Sequence, residues 1–184
     1  MASAFTHAFS AVIMKKVCYP EKSSFELWYF TIACSVIPDA DIIGSIFGIQ
    51  YRDILGHRGF FHSIVFAFIL GVVIAFFFFK NFLRYSIQWW RLILYFTIVT
   101  LSHSVFDAMT NGGLGVAFLA PFSETRYFFP WRPIEVSEFQ IQRFFSEEGL
   151  NVLRSEFVWV WIPSILLMLA LFIYRKVSTK KPNQ

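Results

Sequence analysis

Long apolar runs separated by short polar turns dominate the chain. Two of these runs, His62 to Phe79 and Trp89 to about Met109, come close to the roughly 20 apolar residues that a helix needs to cross a bilayer. A third run, Phe157 to Tyr174, predicts another spanning helix although Pro163 lies in its first turns, because membrane helices tolerate proline. We therefore expect at least three helices to cross a membrane.

Three further segments are apolar but less regular. Ala2 to Met14 and Phe25 to Ile37 have 13 residues each, so at about 1.5 Å per residue either helix could stop short of a full crossing. The stretch from Asn111 to Glu156 carries prolines and the adjacent Gly112 and Gly113 among many aromatic residues. Such punctuation predicts a folded loop or a re-entrant segment.

Composition supports a membrane protein. The 184 residues are 57% hydrophobic with a mean hydropathy of +0.57, which is more apolar than a soluble core of this size requires. The helices and their connections use nearly all of this length, which leaves room for a single domain over residues 1–184. The predicted fold class is all-α, a polytopic membrane helical bundle of about four to five membrane-embedded helices with a re-entrant or folded loop.

Lysine and arginine divide unequally between the two predicted sides. Residues 15–24, 80–91 and 175–184 form one side and hold 10 of the 16 basic residues: Lys15, Lys16, Lys22, Lys80, Arg84, Arg91, Arg175, Lys176, Lys180 and Lys181. Residues 38–61 and 108–156 form the longer side and hold only Arg52, Arg58, Arg126, Arg132, Arg143 and Arg154. Connections rich in basic residues stay in the cytoplasm, so the first side is predicted to be cytoplasmic. Because the basic residues lie beside apolar runs, the net charge of +4 does not predict nucleic-acid binding.

All four histidines of the chain are predicted to lie toward the non-cytoplasmic side. His103 and Asp107 are four residues apart on one helix, so their side chains share a face that a metal ion can bridge. An alternative is a structural helix face whose polar groups satisfy one another by hydrogen bonds. Neither Cys18 nor Cys34 has the spacing of a thiolate metal site.

Further acidic and imidazole groups occur at two predicted helix ends. Asp39 and Asp41 lie in VIPDADII, and two carboxylates this close repel unless a cation or a donor stabilises them. His57 and His62 flank Arg58 in the glycine-bounded turn GHRGFFHS. Ionisable groups at membrane depth are costly and are therefore functional candidates. Imidazole with carboxylate is the ligand set of zinc or a comparable divalent metal, which lowers the pKa of water enough to supply hydroxide near neutral pH.

The sequence lacks the motifs of two other classes of membrane hydrolase and of nucleotide-binding sites. A metal-free lipid phosphatase with a histidine nucleophile also carries HxxxD, but it needs a PSGH segment and an upstream Ser-Arg, which the sequence does not contain. A membrane zinc protease requires HExxH, and a nucleotide site requires a glycine-rich phosphate loop. Neither motif occurs in the sequence.

Five sequence motifs carry a family resemblance. In chain order they are THAFSAV, IPDADIIG, GHRGFFHS, LSHSVFDAMTNGG and APFSETRYFFPWRPI. Together they closely resemble the YbcI/YdjM-like family of bacterial inner-membrane metal-dependent hydrolases, and the resemblance covers nearly the whole chain. That family is in turn similar in fold to zinc-dependent phospholipases C and single-strand nucleases, which are helical phosphoesterases with clustered zinc ions.

The resemblance implies a set of metal ligands, with zinc as the expected metal. They are His7, one or both of Asp39 and Asp41, His57, His62, His103 and Asp107. Two ions would be held by the four histidines and a bridging carboxylate. Whichever of Asp39 and Asp41 is not a ligand would orient the water as general base.

Residues around these ligands have more than one interpretation. Arg58 and Arg126 are candidate catalytic clamps for phosphate oxygens, whose geometry a guanidinium matches, or they contact lipid headgroups. Phe128, Phe129 and Trp131 could cap the site, line an acyl channel or form an interfacial aromatic belt.

The expected function is metal-dependent hydrolysis of a phosphoester on a lipid-like or periplasmic substrate, at the periplasmic side of the bacterial inner membrane. The expected partners are the lipid bilayer and that substrate, and the sequence specifies no oligomeric state. The alternative is a non-catalytic membrane scaffold or metal-binding protein, because the sequence does not distinguish an open coordination position from a closed one.

The division of basic residues predicts the membrane topology. Reporter fusions after Lys22, Arg84 and Lys181 should all report a cytoplasmic location, because these positions lie on the predicted cytoplasmic side. A periplasmic signal at Arg84 would overturn both this topology and the shared location of the histidines.

Overall fold

A computed structural model describes residues 1–21, 24–137 and 146–178. The fold class is confirmed as all-α, since these residues form helices and isolated bridges but no strand. The helices are α1 Ala4–Cys18, α2 Phe25–Val36, α3 Ile64–Phe78, α4 Ile87–Ala108, α5 Glu147–Glu156 and α6 Ile162–Ser178. Four residues of the charge count lie outside the described residues: Lys22, Arg143, Lys180 and Lys181.

Serine residues mark the first turns of the four N-terminal helices. In each, the serine hydroxyl accepts a hydrogen bond from a backbone N–H that has no partner inside the helix. The acceptors are Ser3 for α1, Ser24 for α2, Ser63 for α3 and Ser86 for α4. These caps explain why the helices begin within about two residues of the predicted apolar runs.

Prolines change the helix type at two places. Pro38 lies in the first turn of a 3-10 helix, Ile37–Phe47, that continues α2. Pro163 has no N–H to donate to the carbonyl four residues earlier. A π-helical turn, Phe157–Trp161, precedes it and joins α5 to α6 in one helical unit. With these joins, the described residues contain five helical units.

Close packing of α3 against α4 forms the centre of the core. Gly71 permits it, because a Cβ atom there would lie 2.8 Å from the carbonyl oxygen of Ile93 on α4. Small residues at a helix interface let the backbones approach in this way. Phe96 and Val99 of α4 are fully buried in the same cluster.

Two helical units are long enough and apolar enough to cross a membrane among the described residues. They are Phe25–Phe47 and Glu147–Ser178, and α3 is a shorter apolar helix of 15 residues. The prediction of four to five membrane-embedded helices is therefore not confirmed. Helix α3 does not qualify as a full membrane span because its length is only about 22 Å. Helix α4 does not qualify because of its polar residues, which include Arg91, His103 and Asp107.

The folded loop predicted for Asn111 to Glu156 is present up to residue 137, and residues 138–145 lie outside the described residues. The last part of the predicted stretch, Glu147–Glu156, instead forms the helix α5. Val116 and Tyr127 exchange two backbone hydrogen bonds of 2.9 Å. The N–H of Ala117 donates to the carbonyl of Arg58, and the N–H of Phe129 donates to the carbonyl of Ala108. The loop is thereby fixed to the turn before α3 and to the end of α4.

Glu156 ties the last helical unit to the beginning of α1. Its carboxylate is fully buried and accepts hydrogen bonds from the Ser3 N–H, the Ser3 hydroxyl at 2.6 Å and the Thr6 hydroxyl at 2.8 Å. The indole N–H of Trp161 donates to the same Thr6 hydroxyl at 2.7 Å. A negative charge at this position also complements the positive end of the α1 dipole.

We expect Glu156→Gln to destabilise the protein by about 1–3 kcal/mol, because one acceptor oxygen is replaced by an amide that faces buried donors. The thermal unfolding temperature in detergent should fall accordingly. The control is Glu148→Gln, the same change at an exposed position of α5. Equal unfolding temperatures for both variants would contradict an anchoring role for Glu156.

Candidate metal centre

His103 presents one imidazole nitrogen to the centre of the cluster. It lies fully buried near the end of α4, and its Nδ1 is 2.8 Å from the carbonyl oxygen of Ser35. A carbonyl only accepts, so Nδ1 carries the hydrogen and a neutral ring leaves a lone pair on Nε2. Such a contact on the far nitrogen is the usual way in which a metal-binding histidine is oriented.

His62 presents the equivalent nitrogen from the opposite side. It ends the short 3-10 turn Phe60–His62, where the Ser104 hydroxyl donates to its carbonyl at 2.8 Å. Its Nδ1 lies 3.1 Å from Oδ2 of Asp41, which favours the hydrogen on Nδ1. The Nε2 atoms of His62 and His103 then face each other at 3.1 Å. Two lone pairs at this distance repel unless a cation or a proton lies between them.

Two carboxylate oxygens converge on the same point. Oδ1 of Asp39 is 3.3 Å from Nε2 of His103 and 3.8 Å from Nε2 of His62. Oδ2 of Asp107 is 3.6 Å from Nε2 of His62 and 3.9 Å from Nε2 of His103. Neither oxygen of Asp39 accepts a hydrogen bond within the described residues, although both are buried. We call these four residues the primary cluster.

The primary cluster fits a divalent ion in its geometry. A tetrahedral zinc with ligands at about 2.0–2.2 Å separates neighbouring ligand atoms by roughly 3.3–3.6 Å. The four donor atoms lie within 4.8 Å of one another, and four of their separations are 3.3, 3.6, 3.8 and 3.9 Å. Two neutral imidazoles and two carboxylates are also a donor set that suits zinc.

The net charge of the buried groups also favours a divalent cation in the primary cluster. Asp39, Asp41 and Asp107 are all buried, and Arg58 is the one lysine or arginine paired with them among the described residues. With neutral histidines the three carboxylates and one guanidinium leave a charge of two minus. Uncompensated buried charge is strongly unfavourable, and one divalent cation would neutralise it.

A second group joins the primary cluster through His62. Asp41, His57 and His62 could also hold an ion. Both oxygens of Asp41, however, already accept hydrogen bonds. The His57 Nδ1 donates to Asp41 Oδ1 at 2.7 Å, and the Arg58 backbone N–H donates to Asp41 Oδ2 at 3.1 Å. Burial lowers the pKa of His57, and the hydrogen bond with Asp41 opposes this in part. This geometry favours Asp41 as the carboxylate that orients both histidines.

A cavity of about 230 Å³ opens beside this second group. Asp41, His57 and Ser45 are among its polar lining residues, and Ile42 and Ile49 are among its apolar ones. A small molecule with an apolar part could therefore come close to His57 without entering the buried primary cluster.

His7 lies at the edge of the primary cluster. Its ring stacks on His103 with centroids 3.7 Å apart, and its Nε2 lies 3.7 Å from Oδ1 of Asp107. Both ring nitrogens are buried and have no hydrogen-bond partner within the described residues. The structure thus brings His7 to the site, as the sequence predicts, where its imidazole lies beside Oδ1 of Asp107.

The Arg58 side chain is fully buried and engaged with internal acceptors. Its Nε donates to Oδ2 of Asp107 at 3.1 Å, Nη1 to the Gly112 carbonyl at 2.9 Å and Nη2 to the Thr110 hydroxyl at 3.0 Å. Gly113 has φ +88°, and a Cβ there would lie 2.7 Å from Nη1 of Arg58, so glycine is required. The phosphate clamp stays a prediction, but the contacts show Arg58 holding Asp107 and the loop.

Arg126 and the nearby aromatic residues lie at the periphery. The Arg126 guanidinium is partly exposed and donates to the carbonyls of His57, Tyr51 and Asp53. Arg132 lies over the ring of Phe128, and Trp131 packs edge-on against Trp159 at 4.9 Å. Phe129 and Trp131 are exposed. These contacts favour the interfacial belt over a cap on the site.

The sequence matches the family described as YdjM inner membrane protein over residues 1–179. The chain belongs to this family. It is also 41% identical over 142 residues to the inner membrane protein YbcI of Escherichia coli strain K12, which covers 77% of this chain and 80% of that protein. No solved structure matches the chain. The family and the relative place this chain among inner membrane proteins.

Two features of this YdjM-family site were not anticipated from the sequence. The carbonyl of Ser35 orients His103, but a backbone acceptor leaves no signal in residue identity. Glu156 holds the start of α1, and with it the helix that carries His7. A signal for Glu156 existed, since it is an ionisable residue directly before an apolar run.

We expect the purified protein to bind about one zinc or comparable ion per chain, held by the primary cluster. His103→Ala should lower the bound metal strongly because it removes one of the four proposed ligands, whereas Ser102→Ala, at the neighbouring position on α4, should leave the metal content unchanged. Metal analysis after removal of loosely bound ions provides the measurement. Full metal content in His103→Ala would exclude this residue as a ligand.

The His57→Ala variant distinguishes one ion from the two that the family resemblance implies. If Asp41 and His57 only orient the site, the variant should keep its single ion. A fall from two ions to one would instead make the second group a metal site.

Proposed function

We propose that the protein is a metal-dependent hydrolase of the inner membrane. Its proposed reaction is hydrolysis of a phosphoester bond in a lipid-like or periplasmic substrate. The observation that carries the proposal is the convergence of two imidazole Nε2 atoms and two carboxylate oxygens around one buried point. The convergence supports metal binding directly. Hydrolysis is the chemistry that such a centre, next to a cavity and a second carboxylate, can support.

His62, His103, Asp39 and Asp107 would hold the ion. When bound, a divalent metal supplies Lewis acidity, which lowers the pKa of water and polarises a phosphoryl oxygen. Arg58 keeps Asp107 in place through its Nε contact. The Asp41 carboxylate lies 3.1 Å from Nδ1 of His62, a position that favours the ring orientation in which Nε2 faces the primary cluster.

The pair formed by Asp41 and His57 is the best-placed proton acceptor. Both residues line the 230 Å³ cavity, and the 2.7 Å contact lets the carboxylate stabilise a protonated imidazole. Asp39, by contrast, belongs to the primary cluster. These contacts support Asp39 as the proposed ligand and Asp41 as the proposed partner of His57 in proton transfer.

A multi-pass topology with the site toward the periplasm is part of the proposal. The primary cluster lies where α1 begins, α2 continues as its 3-10 helix, α3 begins and α4 ends. The opposite helix ends carry Lys15, Lys16, Arg84 and Arg91. The positive-inside rule assigns that basic end to the cytoplasm and the cluster to the other side.

A metal carrier or scaffold is the second candidate, because His62, His103 and Asp107 are at most 1% exposed. A closed, fully buried coordination sphere is characteristic of a structural metal site. The absence of turnover in a metal-loaded protein would favour this second function.

Activity should be measured on detergent-purified protein with a panel of phosphoesters that includes phospholipids. Chelation should abolish turnover and added metal should restore it, while Asp107→Ala should lose both metal and activity. Asp41→Asn should keep the ion with weaker affinity, and its activity should fall about 100-fold or more.

The control for Asp41→Asn is Asp53→Asn, the same change at an exposed position of the neighbouring turn. Unimpaired turnover by the metal-free protein would refute the mechanism. Failure of the metal-loaded protein on the whole panel would leave the carrier or scaffold as the better account.

A further inference from the structure

The carboxylate of Asp107 has a different partner on each oxygen. Oδ2 accepts a hydrogen bond from Nε of Arg58 and faces the imidazoles of the primary cluster. Oδ1 accepts a hydrogen bond from the backbone N–H of Ala2 at 2.8 Å. The Nε2 atom of His7 lies 3.7 Å from the same oxygen, which is too long for a hydrogen bond. The Ala2 N–H is therefore the close donor that fixes the Oδ1 side of this proposed ligand.

Ala2 is held in place by contacts with the last helical unit. Its side chain is fully buried in an apolar cluster with Ile134 of the loop and Val160 of the π-helical turn. The next residue, Ser3, donates hydrogen bonds from both its N–H and its hydroxyl to the Glu156 carboxylate. The last helical unit thus supplies an apolar contact to Ala2 and a polar contact to its neighbour.

The same few residues attach the last helical unit to the bundle. Helix α6 has no buried residue, and the buried residues of α5 and the π-helical turn are Gly149, Val152, Glu156 and Val160. Glu156 is the ionisable residue of these four, and its carboxylate takes up donors from the beginning of α1. Docking of the unit therefore depends on contacts that also hold Ala2.

We propose that Glu156 is a positioning residue for the candidate metal centre. By holding Ser3 it keeps the Ala2 N–H directed at Oδ1 of Asp107, so that Oδ2 stays directed at the ion. Hydrogen bonds to a ligating carboxylate orient it, and losing one typically costs about 10–100-fold in metal affinity. The inference rests on the metal binding in the proposed function, but not on the proposed hydrolysis.

A link of this kind acts in both directions. If docking of the last helical unit strengthens metal binding, metal binding must strengthen docking of the unit by the same free energy. Bound metal should therefore protect the backbone amides of residues 147–161 against hydrogen exchange. A purely structural role of Glu156 would not make this protection depend on metal.

The zinc affinity of the detergent-purified full-length chain, measured by competition with a chelator, tests the proposal. Glu156→Gln should bind zinc about ten-fold or more weakly than the wild type, because an amide replaces one acceptor oxygen and loosens the hold on Ser3. If Glu156→Gln does not fold, Ser3→Ala supplies the same test. It removes the 2.6 Å hydroxyl contact and leaves the carboxylate in place.

The matched control is Thr31→Val, which also removes a buried polar group. The Thr31 hydroxyl donates to the Leu27 carbonyl at 2.6 Å and lies 2.9 Å from the Tyr95 hydroxyl, so it contacts no residue of the metal centre. This variant should lower the thermal unfolding temperature but keep the zinc affinity of the wild type. It thereby separates positioning from a general loss of stability.

Hydrogen exchange with and without zinc provides the second readout. Zinc should slow the exchange of residues 147–161 in the wild type, and this protection should be smaller in Glu156→Gln when both proteins are saturated. Three results would overturn the proposal: equal zinc affinity of Glu156→Gln and the wild type, an equal loss of affinity in Thr31→Val, and wild-type exchange that zinc does not change. A wild type that binds no zinc would refute the metal centre itself, and the proposal with it.

Discussion

Buried negative charge beside two facing imidazoles is the constraint on which the rest of the structure depends. Three carboxylates and one guanidinium leave a deficit of two positive charges, and the Nε2 atoms of His62 and His103 are only 3.1 Å apart. A single proton between these nitrogens would relieve their repulsion. It would supply only one charge, however, and the buried groups would keep a net charge of one minus. A divalent cation supplies both positive charges and also separates the two nitrogen lone pairs.

The fold directs helix ends toward this point, which explains several local irregularities. Pro38 changes α2 into the 3-10 helix that carries Asp39 and Asp41, and the loop glycine Gly113 leaves room for the Arg58 guanidinium. Glu156 secures the beginning of α1 and so the position of the helix bearing His7. Each of these features lies outside the primary cluster, yet each limits how far a ligand can move.

Much of the candidate site could be predicted because its candidate ligands are rare, polar and placed at the ends of apolar runs. Four histidines and the aspartates at 39, 41 and 107 all meet in the structure. Their different contacts could not be predicted, because it is the position of each aspartate on the 3-10 helix that brings Asp39 to the primary cluster and Asp41 to His57. The engagement of Arg58 with Asp107, 49 residues away, likewise depends on tertiary packing. The predicted number of membrane spans is not confirmed, because the apolar runs do not fix the helix lengths, and only two helical units of the described residues are long and apolar enough to cross a membrane.

Zinc K-edge X-ray absorption on the purified, metal-loaded protein tests the central claim most directly. The account predicts nitrogen and oxygen ligands at about 2.0–2.2 Å, imidazole scattering from two histidines, and the loss of one imidazole in any residual metal bound by His103→Ala. A sulfur shell at about 2.3 Å, or a wild-type spectrum without imidazole scattering, would contradict it.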